Sequence, residues 1–183
     1  MEEIRIGSSR LQFVVGDITA QDTDAVVNAA NSALAPGGGV AGAIHRAAGK
    51  GLWEECSTLG GCGTGEARIT SGHRLPNRYV IHTVGPVYRG SADDPVLLRS
   101  CYLSSLELAD EHGIKSVAFP ALSTGIFGYP LSEAARVAIL AFRDYLSGDT
   151  GIDLVRMVLY DQKALEAHVA AHRALVDEGE LPA

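Results

Sequence analysis

Residues 26–45 read V-V-N-A-A-N-S-A-L-A-P-G-G-G-V-A-G-A-I-H, and the fold and the chemistry both work outward from this stretch. A short apolar run, Ala25 to Val27, delivers two asparagines, Asn28 and Asn31. Pro36 and three glycines, Gly37 to Gly39, follow and lead into a helical segment from Val40 to Ala48. A strand, a carboxamide pair, a loop without side chains and a helix start suit an anion held at the carboxyl end of a sheet. Glycine lets the backbone approach closely and turn its N–H groups inward, and the helix adds its positive end. A flexible glycine loop is the plainer reading of this stretch alone. A similar loop at residues 121–130, A-L-S-T-G-I-F-G-Y-P, weakens it.

The 183 residues suffice for one domain with a sizeable core, about residues 11–176, followed by a polar and frayed tail at 177–183. A hydrophobic fraction of 46% and 20% charged residues are those of a globular protein. The formal charge of −7, with Lys and Arg scattered, argues against general nucleic-acid binding, which needs a basic face. Cys56, Cys62 and Cys101 form no CxxC pair and leave an odd thiol, which favours a reducing compartment and offers no metal framework. No signal peptide and no apolar run of membrane-spanning length is visible, so the expected location is cytoplasmic.

Along the chain, Ile4–Ile6 and Leu11–Val15 read as strands around a Gly-Ser-Ser turn. The second ends in Gly16-Asp17-Ile18-Thr19, where Asp17 suits an Asx turn, a helix N-cap, or a charged acceptor for a purine amine. Val40, Ala43, Ile44 and Ala47 sit at helical spacing, with Gly49 as the stop. Leu52 and Trp53, in a second short helix, suit a core better than a ligand platform. Glu66–Thr70 and Tyr79–Val84 read as strands, and His82 inside the second suits a hydrogen-bonded core residue better than a base. A long helix from Asp94 to about His112, a strand at Ser116–Pro120 and a helix from Leu131 to about Leu146 follow. A strand from Leu154 to Tyr160 and a helix from Gln162 to Val176 complete the chain. From about residue 75 strands and helices alternate, which implies βαβ units and a largely parallel sheet covered on both faces. Ligands of such sheets bind beyond the strand carboxyl ends, and Asp17, Asn31 with the three glycines, Ser123 to Phe127, and Tyr160 all fall there.

The ordered set G-D-I-T, V-V-N-A-A-N-S-x-L, G-G-G-V-x-G-A-I-H-R-A-A-G, G-x-G-T-G-E-A, V-I-H-T-V-G-P and P-A-L-S-T-G-I-F-G-Y-P resembles the macrodomain family, in its MacroD-type branch. The resemblance runs from about residue 11 to 160. It implies an α/β fold, a three-layer α/β/α sandwich on a mixed, largely parallel sheet, and binding of ADP-ribose. Carried over, it assigns Asp17 to the adenine amine, Ile18 to a backbone contact beside it, and Tyr160 to stacking on adenine. Gly37, Gly38, Gly39 and Val40 would line the distal ribose and diphosphate. Ser123, Thr124, Gly125, Ile126 and Phe127 would give N–H groups to the diphosphate, with the Phe127 ring against the distal ribose. Asn31 would bond ribose hydroxyls and Asn28 would be structural. The implied catalytic set is Asn31, Gly37, Gly38 and Phe127, with no metal or cofactor; the implied partners are ADP-ribose and mono-ADP-ribosylated proteins.

One departure stands out. Many MacroD-type hydrolases carry Asp after Gly-Gly-Gly-Val, proposed to position or activate water, and this chain has Ala41. Alanine accepts no proton, so a general-base scheme through that position is closed. The implied activity is therefore hydrolysis, slowed by Ala41, of mono-ADP-ribose esters on acidic side chains, with deacetylation of O-acetyl-ADP-ribose as related ester chemistry. The competing expectation is a non-catalytic reader of ADP-ribose. A phosphatase acting on ADP-ribose 1″-phosphate ranks last, since no phosphoryl nucleophile stands out.

Overall fold

In the computed structural model, which describes residues 1–182, seven strands form one sheet in the order β1-β2-β7-β6-β3-β5-β4. The strands are β1 Glu2–Ile6, β2 Ser9–Val15, β3 Ala25–Ala29, β4 Ala67–Ser71, β5 Tyr79–Thr83, β6 Ser116–Phe119 and β7 Leu154–Leu159. The five central strands, β2, β7, β6, β3 and β5, run parallel, and both edges, β1 and β4, are antiparallel to their neighbours. The edge pairs are local in sequence and need no crossover, whereas each parallel pair requires one.

Alternation along the central strands divides the core between two faces. Val26, Val80, Ala118 and Val158 point to one side, where α1 (Gly39–Ala48) and α2 (Lys50–Cys56) cover them with Ile44, Ala48 and Leu52. Val27, Ile81, Phe119 and Met157 point to the other, under α3 (Asp93–Glu111), α4 (Leu131–Leu146) and α5 (Gln162–Asp177). The result is the expected α/β/α sandwich. Its larger half centres on Tyr102, Phe119 and Phe142, whose ring centroids lie 5.1–5.4 Å apart at tilted or edge-on angles.

Two local expectations are corrected. The buried face of α1 is Ala41, Gly42, Ile44, His45 and Ala48; Ala47 is exposed, and Val40 and Ala43 are half-buried. The helix lies so close to the preceding loop that a Cβ on Gly42 would sit 2.5 Å from the Gly37 carbonyl oxygen, and that approach selects the small residues. The tail is not frayed over the described residues, and Ala183 lies outside them. Beyond α5, Gly179 turns in the left-handed region at φ 77°, the Glu180 N–H donates to Leu175 O at 2.9 Å, and Leu181 is buried in the larger core. Arg136 and Arg143 of α4 hold Glu178 and Glu180.

Candidate functional site

All five parallel strands release their chains at the same rim of the sheet. In spatial order the rim carries Asp17 after β2, Tyr160 after β7, the 121–129 loop after β6, Asn31 and the glycine loop after β3, and Gly85 after β5. Four inter-strand spacings of about 4.8 Å make this row about 19 Å long, enough for an extended ligand.

At its middle lies a cavity of about 380 Å³ walled by Asn31, Gly37 to Ala41, Gly85, Ser123 and Gly125 to Phe127, with Ala29, Ala30, Ala121 and Leu122 beneath. None of these side chains is charged. What the walls offer is backbone. The Gly42 N–H donates to Gly38 O, so the N–H groups of the first turn of α1 lack an intrahelical acceptor and face outward at the positive end of the helix. Across the cavity, the Gly128 N–H closes on Gly125 O at 3.0 Å and the Tyr129 N–H on Ser123 O at 2.9 Å. The N–H groups of Gly125, Ile126 and Phe127 make no hydrogen bond among the described residues. The loop is pinned from outside, where the Tyr88 N–H donates to Phe127 O at 2.9 Å.

Close approaches set the width of this cavity. A Cβ on Gly85 would lie 2.3 Å from Ser123 Oγ. Ser123 itself sits at φ 65° with its hydroxyl buried and unpartnered, a strained backbone of the kind that clusters at ligand clamps. A Cβ on Gly37 would lie 3.5 Å from Asn31 Nδ2 and 3.9 Å from Ala41 Cβ, so these three meet at one corner. The Asn31 carboxamide is spent partly on its own loop. Its Nδ2 donates to Ala35 O and its Oδ1 accepts from the Ala35 N–H, both at 2.9 Å. One N–H and further lone pairs remain for a ligand.

The structure thus gathers Asn31, Gly37, Gly38, Gly39, Val40, Ser123, Gly125, Ile126 and Phe127 around one cavity, with Ile126 fully exposed on its lip. Thr124 does not line it; its hydroxyl turns back to Ala121 O at 2.8 Å. Asp17, Ile18 and Tyr160 lie outside the cavity, further along the rim. Asp17 caps the 3₁₀ turn Ile18–Ala20, and its Oδ1 accepts from the Thr19 N–H (2.8 Å) and hydroxyl (2.7 Å). Those bonds hold its carboxyl below the usual range and leave Oδ2 free of them. The Ile18 side chain is buried in the smaller core, so only its backbone reaches the rim. Tyr160 stands 94% exposed beside Asp17 on the neighbouring strand end, an open platform.

Beneath the cavity, Asn28 and His82 are buried partners. Asn28 Nδ2 lies 3.0 Å from His82 Nδ1, and His82 Nε2 lies 2.9 Å from Thr70 Oγ1. Burial, with His45 nearby, pushes the His82 pKa down to about 3, so the ring is neutral and structural, as its sequence context implies. His45, one helical turn after Ala41, is buried with neither ring nitrogen bonded, and burial lowers its pKa. Sequence reading passed over His45 and Gly85. No sequence pattern singles out the first, whereas the Val84-Gly85-Pro86 run carries a signal for the second.

The Macro domain family model matches residues 27–138. The chain is 51% identical over 162 residues to a macro domain-containing protein of Chlorobaculum tepidum, covering 88% of this chain and 94% of that one. It is 56% identical over 141 residues to the ADP-ribose glycohydrolase MACROD1 of Mus musculus, covering 76% of this chain and 44% of that longer protein. Among solved structures, the Oceanobacillus iheyensis macrodomain with ADP superposes with a TM-score of 0.93 at 38% identity, over 97% of both chains. The Trypanosoma brucei macrodomain in complex with ADP-ribose superposes with a TM-score of 0.83 at 42% identity, over 88% of this chain and 68% of that one.

Proposed function

The chain belongs to the macrodomain family, in its MacroD-type branch, and from that premise we propose that it binds ADP-ribose and hydrolyses the ester joining mono-ADP-ribose to acidic protein side chains. The observation that carries the proposal is the uncharged cavity whose two walls present backbone N–H groups with no acceptor in the protein. A diphosphate supplies the acceptors that these groups lack, and backbone N–H groups with the positive end of a helix can hold it without a lysine or arginine in the walls.

In this reading the diphosphate sits between Gly38–Val40 and Ser123–Phe127, with adenine over Tyr160 and its amine on Asp17 Oδ2. The distal ribose lies at the Asn31–Gly37 corner against the Phe127 ring. Water attacks the anomeric carbon, the bond to the carboxylate oxygen breaks, and the carboxylate leaves as a stable anion without a general acid. Ala41 supplies no base, so a diphosphate oxygen of the bound ligand holds the water and takes up its proton. Asn31, Gly37, Gly38 and Phe127 act by fixing geometry, a contribution that can be large by itself. Turnover is slower than with an acid at position 41. Deacetylation of O-acetyl-ADP-ribose uses the same cavity. Three free, buried thiols fit a cytoplasmic setting.

Ala41 also favours a second reading, a reader that binds ADP-ribose without cleaving it. Calorimetry with ADP-ribose, followed by label release from a mono-ADP-ribosylated protein, separates the cases. Binding with release supports the hydrolase, binding without release supports the reader, and no binding refutes both.

A further inference from the structure

A second cleft, also about 380 Å³, opens on the far side of the Asn31–Gly85–Phe127 ridge, and those three residues line both hollows. One wall is Val84 to Val87, which follow β5; the other is the start of α3, with Leu97 at its base. Hydroxyls of Thr64 and Ser91 line it, together with the exposed Arg89. This cleft is built rather than incidental. Asp94 is buried at the start of α3, and its Oδ2 accepts from the Arg89 N–H at 2.9 Å and the Ser91 N–H at 3.1 Å. That clamp fixes the turn through Gly90 and holds Arg89 at the mouth, where its guanidinium has no ion-pair partner among the described residues.

We propose that this second cleft receives the polypeptide on either side of the ADP-ribosylated side chain, and that Arg89 prefers substrates with a further acidic residue there. The inference rests on the ADP-ribose reading of the first cavity. The ridge between the clefts carries Asn31 and Phe127, which that reading puts at the distal ribose, so whatever is joined to the anomeric carbon leaves across the ridge. Its walls suit a peptide: Val84, Pro86, Val87 and Leu97 give apolar contact, while Thr64 and Ser91 can bond main-chain groups. A nucleic-acid strand fits poorly, because the cleft offers one cation, Arg89, which can answer a single carboxylate but not a run of backbone phosphates.

The test compares three ligands: free ADP-ribose, O-acetyl-ADP-ribose, and a peptide carrying mono-ADP-ribose on glutamate with a second glutamate two residues away. Two variants, Arg89→Glu and Val87→Asp, alter exposed side chains of the second cleft only. The wild type is expected to bind the peptide at least tenfold more tightly than ADP-ribose. Each variant should lose that advantage, by calorimetry and as a raised KM with kcat kept, while ADP-ribose affinity and O-acetyl-ADP-ribose turnover stay within twofold. Equal losses on all three ligands, or unchanged peptide affinity in both variants, overturn the proposal. So does an Arg89 dependence seen with an ADP-ribosylated oligonucleotide end and not with the peptide. Failure of the wild type to bind ADP-ribose at all is a separate result that refutes the reading of the first cavity.

Discussion

Replacing Gly85 by alanine tests how tightly the walls of the cavity proposed for ADP-ribose are set. Gly85 does not occupy the left-handed region, so alanine is conformationally allowed, and it restricts the unfolded chain, a stabilising effect of about 0.4–1 kcal/mol. Against this, the new Cβ would lie 2.3 Å from Ser123 Oγ, far inside contact distance, with Ser123 Cβ and N next at 3.5 and 3.6 Å. The serine hydroxyl has no partner to lose, but it is buried and has little room to turn. Overpacking of this kind costs about 1–3 kcal/mol, so Gly85→Ala should destabilise the protein. Removing the hydroxyl leaves nothing nearer than ordinary contact, so Gly85→Ala in a Ser123→Ala background should be neutral or slightly stabilising. Urea unfolding of the four proteins, with slopes compared for two-state behaviour, measures a coupling of about 1–3 kcal/mol between neighbours. Calorimetry with ADP-ribose should show weaker binding in Gly85→Ala and recovery in the double variant, because the same hydroxyl displaces the 123–127 loop. An equal cost of Gly85→Ala with and without the Ser123 hydroxyl would refute the reasoning.

Asp17→Ala should weaken ADP-ribose binding by roughly 1.5–3 kcal/mol, the range for hydrogen bonds to charged groups; an unchanged dissociation constant leaves Asp17 as a cap and no more. Ala41→Asp should raise label release tenfold or more, against roughly 10²–10⁴ for a well-placed base, and no gain would place the water elsewhere. Asn31→Ala should lower turnover more than affinity, and equal losses would reduce Asn31 to a binding residue. Stability should fall as the pH drops from 6.5 towards 3, because the unfolded chain protonates His82 there and the folded chain does not. His82 alone contributes a slope of about 1.4 kcal/mol per pH unit, and the lowered values of His45, His168 and His172 act in the same direction. Urea midpoints against pH should flatten in His82→Asn, and an unchanged slope contradicts the assignment.

The central strands were legible because parallel strands covered on both faces read as continuous apolar runs; Val26, Val27, Val80 and Ile81 are all fully buried. The glycine loops were legible because an absence of side chains is itself a signal. Periodicity failed on α1, where backbone contact with Gly37 rather than hydrophobicity chose the inward face, and His45 was hidden by its residue type. The burial of Leu181 could not be read locally, since it depends on arginines about forty positions earlier in the chain. Nor could the second cleft, which exists only because the turn after β5 meets the start of α3 under the Asp94 clamp.

The rim proposed to host the ligand is stitched from the far ends of five strands drawn from every part of the chain, and no fragment contains more than a portion of it. An occupant of the rim therefore recognises the assembled sheet and has nothing to grip once it opens. By mass action, ligand at a hundred times its dissociation constant adds about 2.7 kcal/mol to the resistance of the whole protein against opening. Protease sensitivity at sites remote from the cleft becomes a gauge of how full it is.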